Sequence, residues 1–125
     1  MYEIESFHLL SKNEKGSTYT IEERPSSDYL FASRKAGAEF GNHWHEGKSK
    51  TKNPEILFLM SGKMKMWISD TEGSNEKEVD LEAPLKLKIY PLALHRFKAE
   101  TDCMFLELNS LEDHVADTFY PTSAD

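Results

Sequence analysis

The stretch "EILFLMSGKMKMWIS", residues 55–69, constrains this chain more than any other. Two apolar-rich arms flank Ser61-Gly62, and a small turn pair between two such arms reads as the tip of a hairpin. In the second arm Met64, Met66 and Ile68 alternate with Lys63, Lys65 and Trp67, which gives one apolar face and one polar face. A period of two is the signature of a strand. The pattern recurs along the chain. "STYTIEE" (17–23) and "DYLFAS" (28–33) are rich in β-branched and aromatic residues, with "RPSS" as the turn between them. "LKLKIY" (85–90) puts Leu85, Leu87 and Ile89 on one face, and "HRFKA" and "CMFLELN" supply two more strands. "DTEGSNEKE" (70–78) reads as a polar hairpin loop, and only "LEDHVADTF" near the end suggests a helical turn.

Roughly seven to nine short strands at regular spacing, with no long helix, predict an all-β antiparallel sandwich or barrel. A chain of 125 residues is one domain's worth. Its core is expected over about 28–110, with 111–125 as a C-terminal tail. A net charge of −7 opposes a nucleic-acid partner, which needs a basic face. The longest apolar run, Ile56 to Met60, is too short to span a bilayer, and the acidic N-terminus has no basic signal region. The lone cysteine, Cys103, excludes an intrachain disulfide and suits a reducing cytoplasm. Among Met104, Phe105 and Leu106 it reads as a small buried hydrophobe.

"GNHWHEGKSKTKNPE", residues 41–55, carries the chemistry. On an extended strand His43 and His45 leave the same face, with Trp44 on the other. Imidazole nitrogen suits zinc, iron, manganese or nickel, and a nearby carboxylate completes a mixed nitrogen and oxygen site. Glu55 is the candidate carboxylate, opening a strand expected to pair near the histidine strand. Glu46, directly after His45, would point off the opposite face. His95, after the Pro91 turn, is expected to approach from the far side of a barrel.

The spacing of these residues resembles the cupin pattern. Gly37 is followed after five residues by His43-x-His45, and Glu55 is followed after six by Gly62. The nine residues "EGKSKTKNP" between His45 and Glu55 are then an inserted loop. The proline turn that leads to a histidine in the second cupin motif is matched by Pro91 and His95. That second match has one residue fewer, and alanine where glycine is usual. "GNHWH", a lysine-containing loop, "EILFLMSGK" and the ending "EDHVADTFYP" further resemble the C-terminal cupin domain of bifunctional capsular-polysaccharide nucleotide-sugar epimerase-reductases. The resemblance implies a double-stranded β-helix, or jelly roll. It also implies a divalent metal, zinc first, on His43, His45, Glu55 and His95, and a homodimer.

By the same resemblance the expected function is metal-dependent epimerisation or isomerisation of a carbohydrate or nucleotide sugar. A proton beside a keto group is acidic, and a Lewis acid on the carbonyl oxygen stabilises the resulting enolate. Tyr90 and His114 are the candidate proton carriers. Lys50 and Lys52 are candidates to hold a phosphate, and Trp67 and Phe97 to stack on a sugar ring. Two other readings compete. A site of three histidines and a glutamate also suits a non-haem iron dioxygenase, and a cupin can simply bind a sugar or metabolite without turning it over.

Overall fold

A computed structural model describes residues 1–26 and 28–121. The strands are β1 (Tyr2–Glu5), β2 (His8–Asn13), β3 (Gly16–Thr20), β4 (Leu30–Arg34), β5 (Glu39–His43) and β6 (Glu55–Ser61). They continue as β7 (Lys63–Ser69), β8 (Lys77–Glu82), β9 (Leu85–Ile89), β10 (Leu94–Ala99) and β11 (Cys103–Glu107). A short 3-10 turn covers Lys50–Lys52, and one helix, α1, covers Leu111–Ala116. No helix among the described residues is long and apolar enough to cross a membrane.

Two antiparallel sheets face each other, one ordered β1-β9-β6-β11-β4 and the other β5-β10-β7-β8. Alternation decides what lies between them. Met64, Met66 and Ile68 of β7 point inward, opposite Leu57 and Leu59 of β6 and Leu85, Leu87 and Ile89 of β9. All of these are buried, and each such side chain is worth about 1.5–3 kcal/mol on burial. Cys103, on β11, lies in the same core. The apolar core fills one end of the sandwich. Towards the other end the inward positions turn polar: Glu55 continues the row of Leu59 and Leu57, Glu107 continues that of Phe105, and His95 continues that of Phe97.

Strand β5 keeps its inward face through a bulge. His95 pairs with His43 and Phe97 with Phe40, so three residues on β10 oppose four on β5. Strict alternation would send Phe40 and His43 to opposite faces. Gly41 at φ 88° and Asn42 at φ 57° absorb the extra residue, and both Phe40 and His43 face inward. A side chain at Gly41 would press on the His95 carbonyl at 3.3 Å and on the Phe97 ring at 3.3 Å.

Strands β6 and β7 lie where the sequence places them, but they do not pair as a hairpin: Ser61-Gly62 carries the chain from one sheet to the other, and the partners of β7 are β8 and β10. Several expectations do not hold. Within 17–23 the strand, β3, ends at Thr20 and pairs with β2, whereas β4 lies in another sheet; of the expected turn "RPSS", Ser27 lies outside the described residues. The polar stretch 70–78 ends inside β8, an edge strand whose Val79 and Leu81 face inward beneath a run of charge. The first strands, β1 and β2, carried no readable period. Strand β6 does not pair with the histidine strand; its neighbours are β9 and β11.

Gly62 makes the crossing from β6 to β7 at φ 93°, and a Cβ there would collide with the Asp102 carbonyl oxygen. Gly37, at φ 89°, has open space at the same place. Gly37→Ala should therefore cost only the left-handed backbone penalty, about 1–2 kcal/mol. Gly62→Ala should cost clearly more, because backbone has to move. Urea unfolding of the two variants checks the order, and equal losses would contradict it.

Candidate functional site

His43, at the end of β5, and His95, near the start of β10, are direct cross-strand partners. The expectation that His95 comes from the far side is thus corrected: it is the neighbour of His43. Glu55 is the residue that comes from across the sandwich, on the facing sheet. His45 lies just beyond β5, where Trp44 bridges to Phe119 by paired backbone hydrogen bonds of 2.9 Å. The candidate ligand nitrogens of His43, His45 and His95 all lie within 4.8 Å of one another. The Glu55 Oε2 atom sits 2.9 Å from His45 Nε2 and 3.4 Å from His95 Nε2.

The outer nitrogens of two rings are already committed. His45 Nδ1 donates to the Asp117 carbonyl at 2.7 Å, and His95 Nδ1 donates to the Ala93 carbonyl at 2.9 Å. A carbonyl can only accept, so each Nδ1 carries a proton and each neutral ring presents a lone pair at Nε2. Two lone pairs and a carboxylate oxygen therefore converge on one small buried space. Such a set of acceptors calls for positive charge among them, as a proton on each ring or as a metal ion. Metal-ligating imidazoles commonly donate their other ring N–H to a carbonyl in this way. The donor set fits a divalent ion. Burial, reinforced by the neighbouring His95, pushes the His43 imidazole down to about 3, which keeps it neutral and able to ligate.

Behind Glu55 lies a cation that the sequence reading placed elsewhere. Lys52 is fully buried, with Nζ 3.2 Å from Glu55 Oε1 and 3.1 Å from His114 Nδ1. Burial alone would raise the Glu55 carboxyl, but the Lys52 ammonium and the two histidine contacts outweigh it and hold the group well below the usual carboxylate range. Lys52 is not free to hold a phosphate from solvent, and that expectation is withdrawn. Lys50, on the same turn, points outward and is exposed.

The inserted loop that carries these lysines is tied to the C-terminal segment. The Asp117 carboxylate, fully buried, accepts from the backbone N–H of Glu46 at 2.9 Å and of Ser49 at 3.2 Å. The Thr51 hydroxyl bonds Asn109 Oδ1 at 3.2 Å and Asp113 Oδ2 at 3.0 Å. Arg24 adds hydrogen bonds to the carbonyls of Thr51 and Pro54. Glu46 itself is exposed and paired with Lys48 at 3.2 Å, away from the histidines.

A cavity of about 320 Å³ opens above the cluster. Its floor is His43, Glu55, His95, Glu107 and His114, its walls are Phe40, Phe97 and Phe105, and Arg34 and Tyr120 also line it. Phe97 stacks on Phe40 with ring centroids 5.2 Å apart. Phe97 and His114 both line this cavity, but two other candidates do not. Tyr90 follows the inward Ile89, so it faces outward and donates to Glu3 Oε1 at 2.7 Å. Trp67 alternates with Met66 and Ile68, lies on the outer face, and carries the Arg96 guanidinium 4.2 Å above its ring.

Glu107 and Arg34 were missed, although the strand period carries them. Glu107 shares a face with Cys103 and Phe105, and Arg34 with Leu30 and Ala32. A charged residue at an inward strand position is the signal. Burial first, and the nearby Glu55 second, push the Glu107 carboxyl up to about 7.

No protein-family model matches this sequence, and no curated protein does. Solved structures do. The sugar 3,4-ketoisomerase QdtA of Thermoanaerobacterium thermosaccharolyticum, in complex with TDP, superposes with a TM-score of 0.72 at 18% identity, over 94% of this chain and 86% of that one. The fold is the cupin jelly roll. A histidine-to-asparagine mutant of QdtA, in complex with TDP-4-keto-6-deoxyglucose, gives 0.71 at 14% identity over the same shares. The capsular polysaccharide assembling protein CapF of Staphylococcus aureus gives 0.62 at 21% identity, over 94% of this chain but 35% of that one. The dTDP-4-dehydrorhamnose 3,5-epimerase of Sulfolobus tokodaii gives 0.61 at 13% identity, over 98% and 77%. What the cupin fold does here rests on the residues in its bowl.

The raised Glu107 carboxyl has a consequence for stability. Its folded form holds a proton more tightly than the unfolded chain, so its contribution is complete below about 4.5 and is lost as pH rises through about 7. His43 acts in the opposite direction, losing stability as pH falls from 6.5 towards about 3, and it does so with or without Glu107. Glu107→Gln should therefore gain on the wild type as pH rises through the Glu107 window. Urea unfolding across that range in a chelating buffer reads the difference, and a gap independent of pH would contradict the assignment.

Proposed function

We propose that this protein is a metal-dependent isomerase or epimerase that moves a proton beside the keto group of a nucleotide-linked sugar. The observation that carries the reading is the bowl itself. Three imidazoles and one carboxylate converge at its floor, beneath aromatic walls and one arginine. Its volume suits a sugar ring. Support also comes from what similar structures are named for: a sugar 3,4-ketoisomerase and a 4-keto sugar 3,5-epimerase. Keto transfer between neighbouring carbons and epimerisation beside a carbonyl share one first step, loss of the adjacent proton.

His43, His45, Glu55 and His95 would hold a divalent ion, and that ion would supply a Lewis acid for the carbonyl or enolate oxygen. The remaining work falls to the chain's own groups. Glu107 faces the cavity with a carboxyl near neutrality, which suits a group that takes up and returns a proton. Phe40 and Phe97 offer flat apolar walls to the sugar and exclude water. Arg34, whose guanidinium lies 5.0 Å from the Phe40 ring centre, can turn its free donors to a diphosphate.

Incubation with TDP-4-keto-6-deoxyglucose in heavy water should place deuterium at the carbon beside the keto group, read by mass spectrometry. Exchange should fall about 10²-fold or more in Glu107→Gln. Substrate-dependent oxygen uptake without exchange would instead establish an oxygenase. In metal analysis, His45→Ala and Glu55→Ala should each reduce occupancy, whereas Glu46→Ala should not. Loss of metal from Glu46→Ala with retention in Glu55→Ala would overturn the ligand assignment.

A further inference from the structure

Lys52 and His114 form a pair that the proposed ligand set and proton carrier leave unexplained. Lys52 comes from the inserted loop and His114 from α1, and neither element belongs to the two sheets. Their approach is nevertheless tightly built. Thr51, beside Lys52, bonds Asp113, beside His114, and the His114 backbone N–H donates to the Ser110 carbonyl at 3.0 Å. The Thr118 hydroxyl donates to the His114 carbonyl. The His114 ring stands edge-on to the His43 ring, with centroids 5.6 Å apart, and lines the cavity.

A lysine ammonium has three donors and no acceptor. At 3.1 Å from His114 Nδ1 it obliges that nitrogen to accept. The single proton of the neutral ring must then sit on Nε2. We propose that Lys52 is a positioning residue that fixes His114 as the Nε2–H tautomer, so that His114 meets an oxygen of the sugar as a permanent hydrogen-bond donor. The inference deepens the sugar-isomerase reading and rests on it for the identity of the ligand, while the tautomer itself does not depend on any substrate. The same ammonium holds Glu55 Oε1 at 3.2 Å, which leaves Oε2 alone facing the histidines. One buried cation thereby orients a carboxylate towards the floor of the bowl and an N–H donor towards its contents. The separation of roles is chemical: Glu107 moves a proton, and His114 keeps its own.

The test uses the zinc-loaded protein with ¹⁵N-labelled histidine, and His114→Gln identifies the His114 signals by their loss. In the wild type at neutral pH, His114 should show an unprotonated Nδ1 and a protonated Nε2. In Lys52→Met, which keeps an unbranched side chain one atom shorter and removes the ammonium, the ring should lose that single form and populate both tautomers, with the His8 signals unchanged. An Nδ1–H ring in the wild type overturns the proposal, and so does an unaltered ring in a folded Lys52→Met. Should that variant fail to fold, the wild-type spectrum alone decides.

A second arm reads the donor's role through deuterium exchange. Gln can place an N–H near the position of Nε2 but cannot serve as a base, so His114→Gln should slow exchange about tenfold and His114→Phe about 10²–10³-fold. Equal losses in the two would overturn the fixed-donor role. Absence of exchange in the wild type would defeat the sugar-isomerase reading instead, and the histidine spectra would still judge the Lys52–His114 pair.

Discussion

The structure turns on the contact made across the sandwich by Glu55. One carboxylate, carried on the five-stranded sheet, reaches His95 of the four-stranded sheet at 3.4 Å and His45, just beyond that sheet, at 2.9 Å. An ionised carboxylate in so dry a place is costly unless it is matched. Its match is the buried ammonium of Lys52, and that ammonium is reachable only because the inserted loop folds inward. The loop in turn needs Asp117, Asn109 and Asp113 to hold its backbone and Thr51. The chemistry at the floor of the bowl, the loop, and the segment after β11 form one interdependent unit.

That dependence explains why the segment from Asn109 to Tyr120 is not a loose end. Its Asp117 carbonyl sets the tautomer of His45, its His114 lines the cavity, and its Phe119 pairs with Trp44. At the opposite end of the sandwich the same inward positions carry Met64, Leu85 and Cys103. The fold therefore divides along the strands into an apolar half that supplies stability and a polar half that carries the candidate site. Strand alternation produces both, since the polar groups occupy continuations of the apolar rows.

Much of this was legible in the chain. The alternation of Met64, Met66 and Ile68, and of Leu85, Leu87 and Ile89, gave the strands and the core. The spacing from Gly37 through His43 and His45 to Glu55 and Gly62 brought into view the carboxylate that lies beside these histidines, despite the inserted loop. What stayed hidden has physical reasons. A period of two says which face a residue takes but not which sheet its strand joins, so Glu55 and His95 were assigned to each other's sides. Lys52 stands among Lys48 and Lys50 and looks solvated, and its burial is decided by partners more than fifty residues away in sequence, at His114. Tyr90 and Trp67 were drawn into the site by chemistry when their strand positions already pointed them outward. Glu107 and Arg34 show the converse: the period placed them inside, and their charge concealed it.

The lone pairs of His45 and His95 and the Glu55 oxygen converge, with His43, on a space that a divalent cation would fill. X-ray absorption spectroscopy of the zinc-loaded protein tests this most directly. One tightly bound zinc per chain is expected, with an inner shell of three imidazole nitrogens and carboxylate oxygen. A protein that takes up no stoichiometric zinc, or holds it through fewer than three imidazoles, would contradict it.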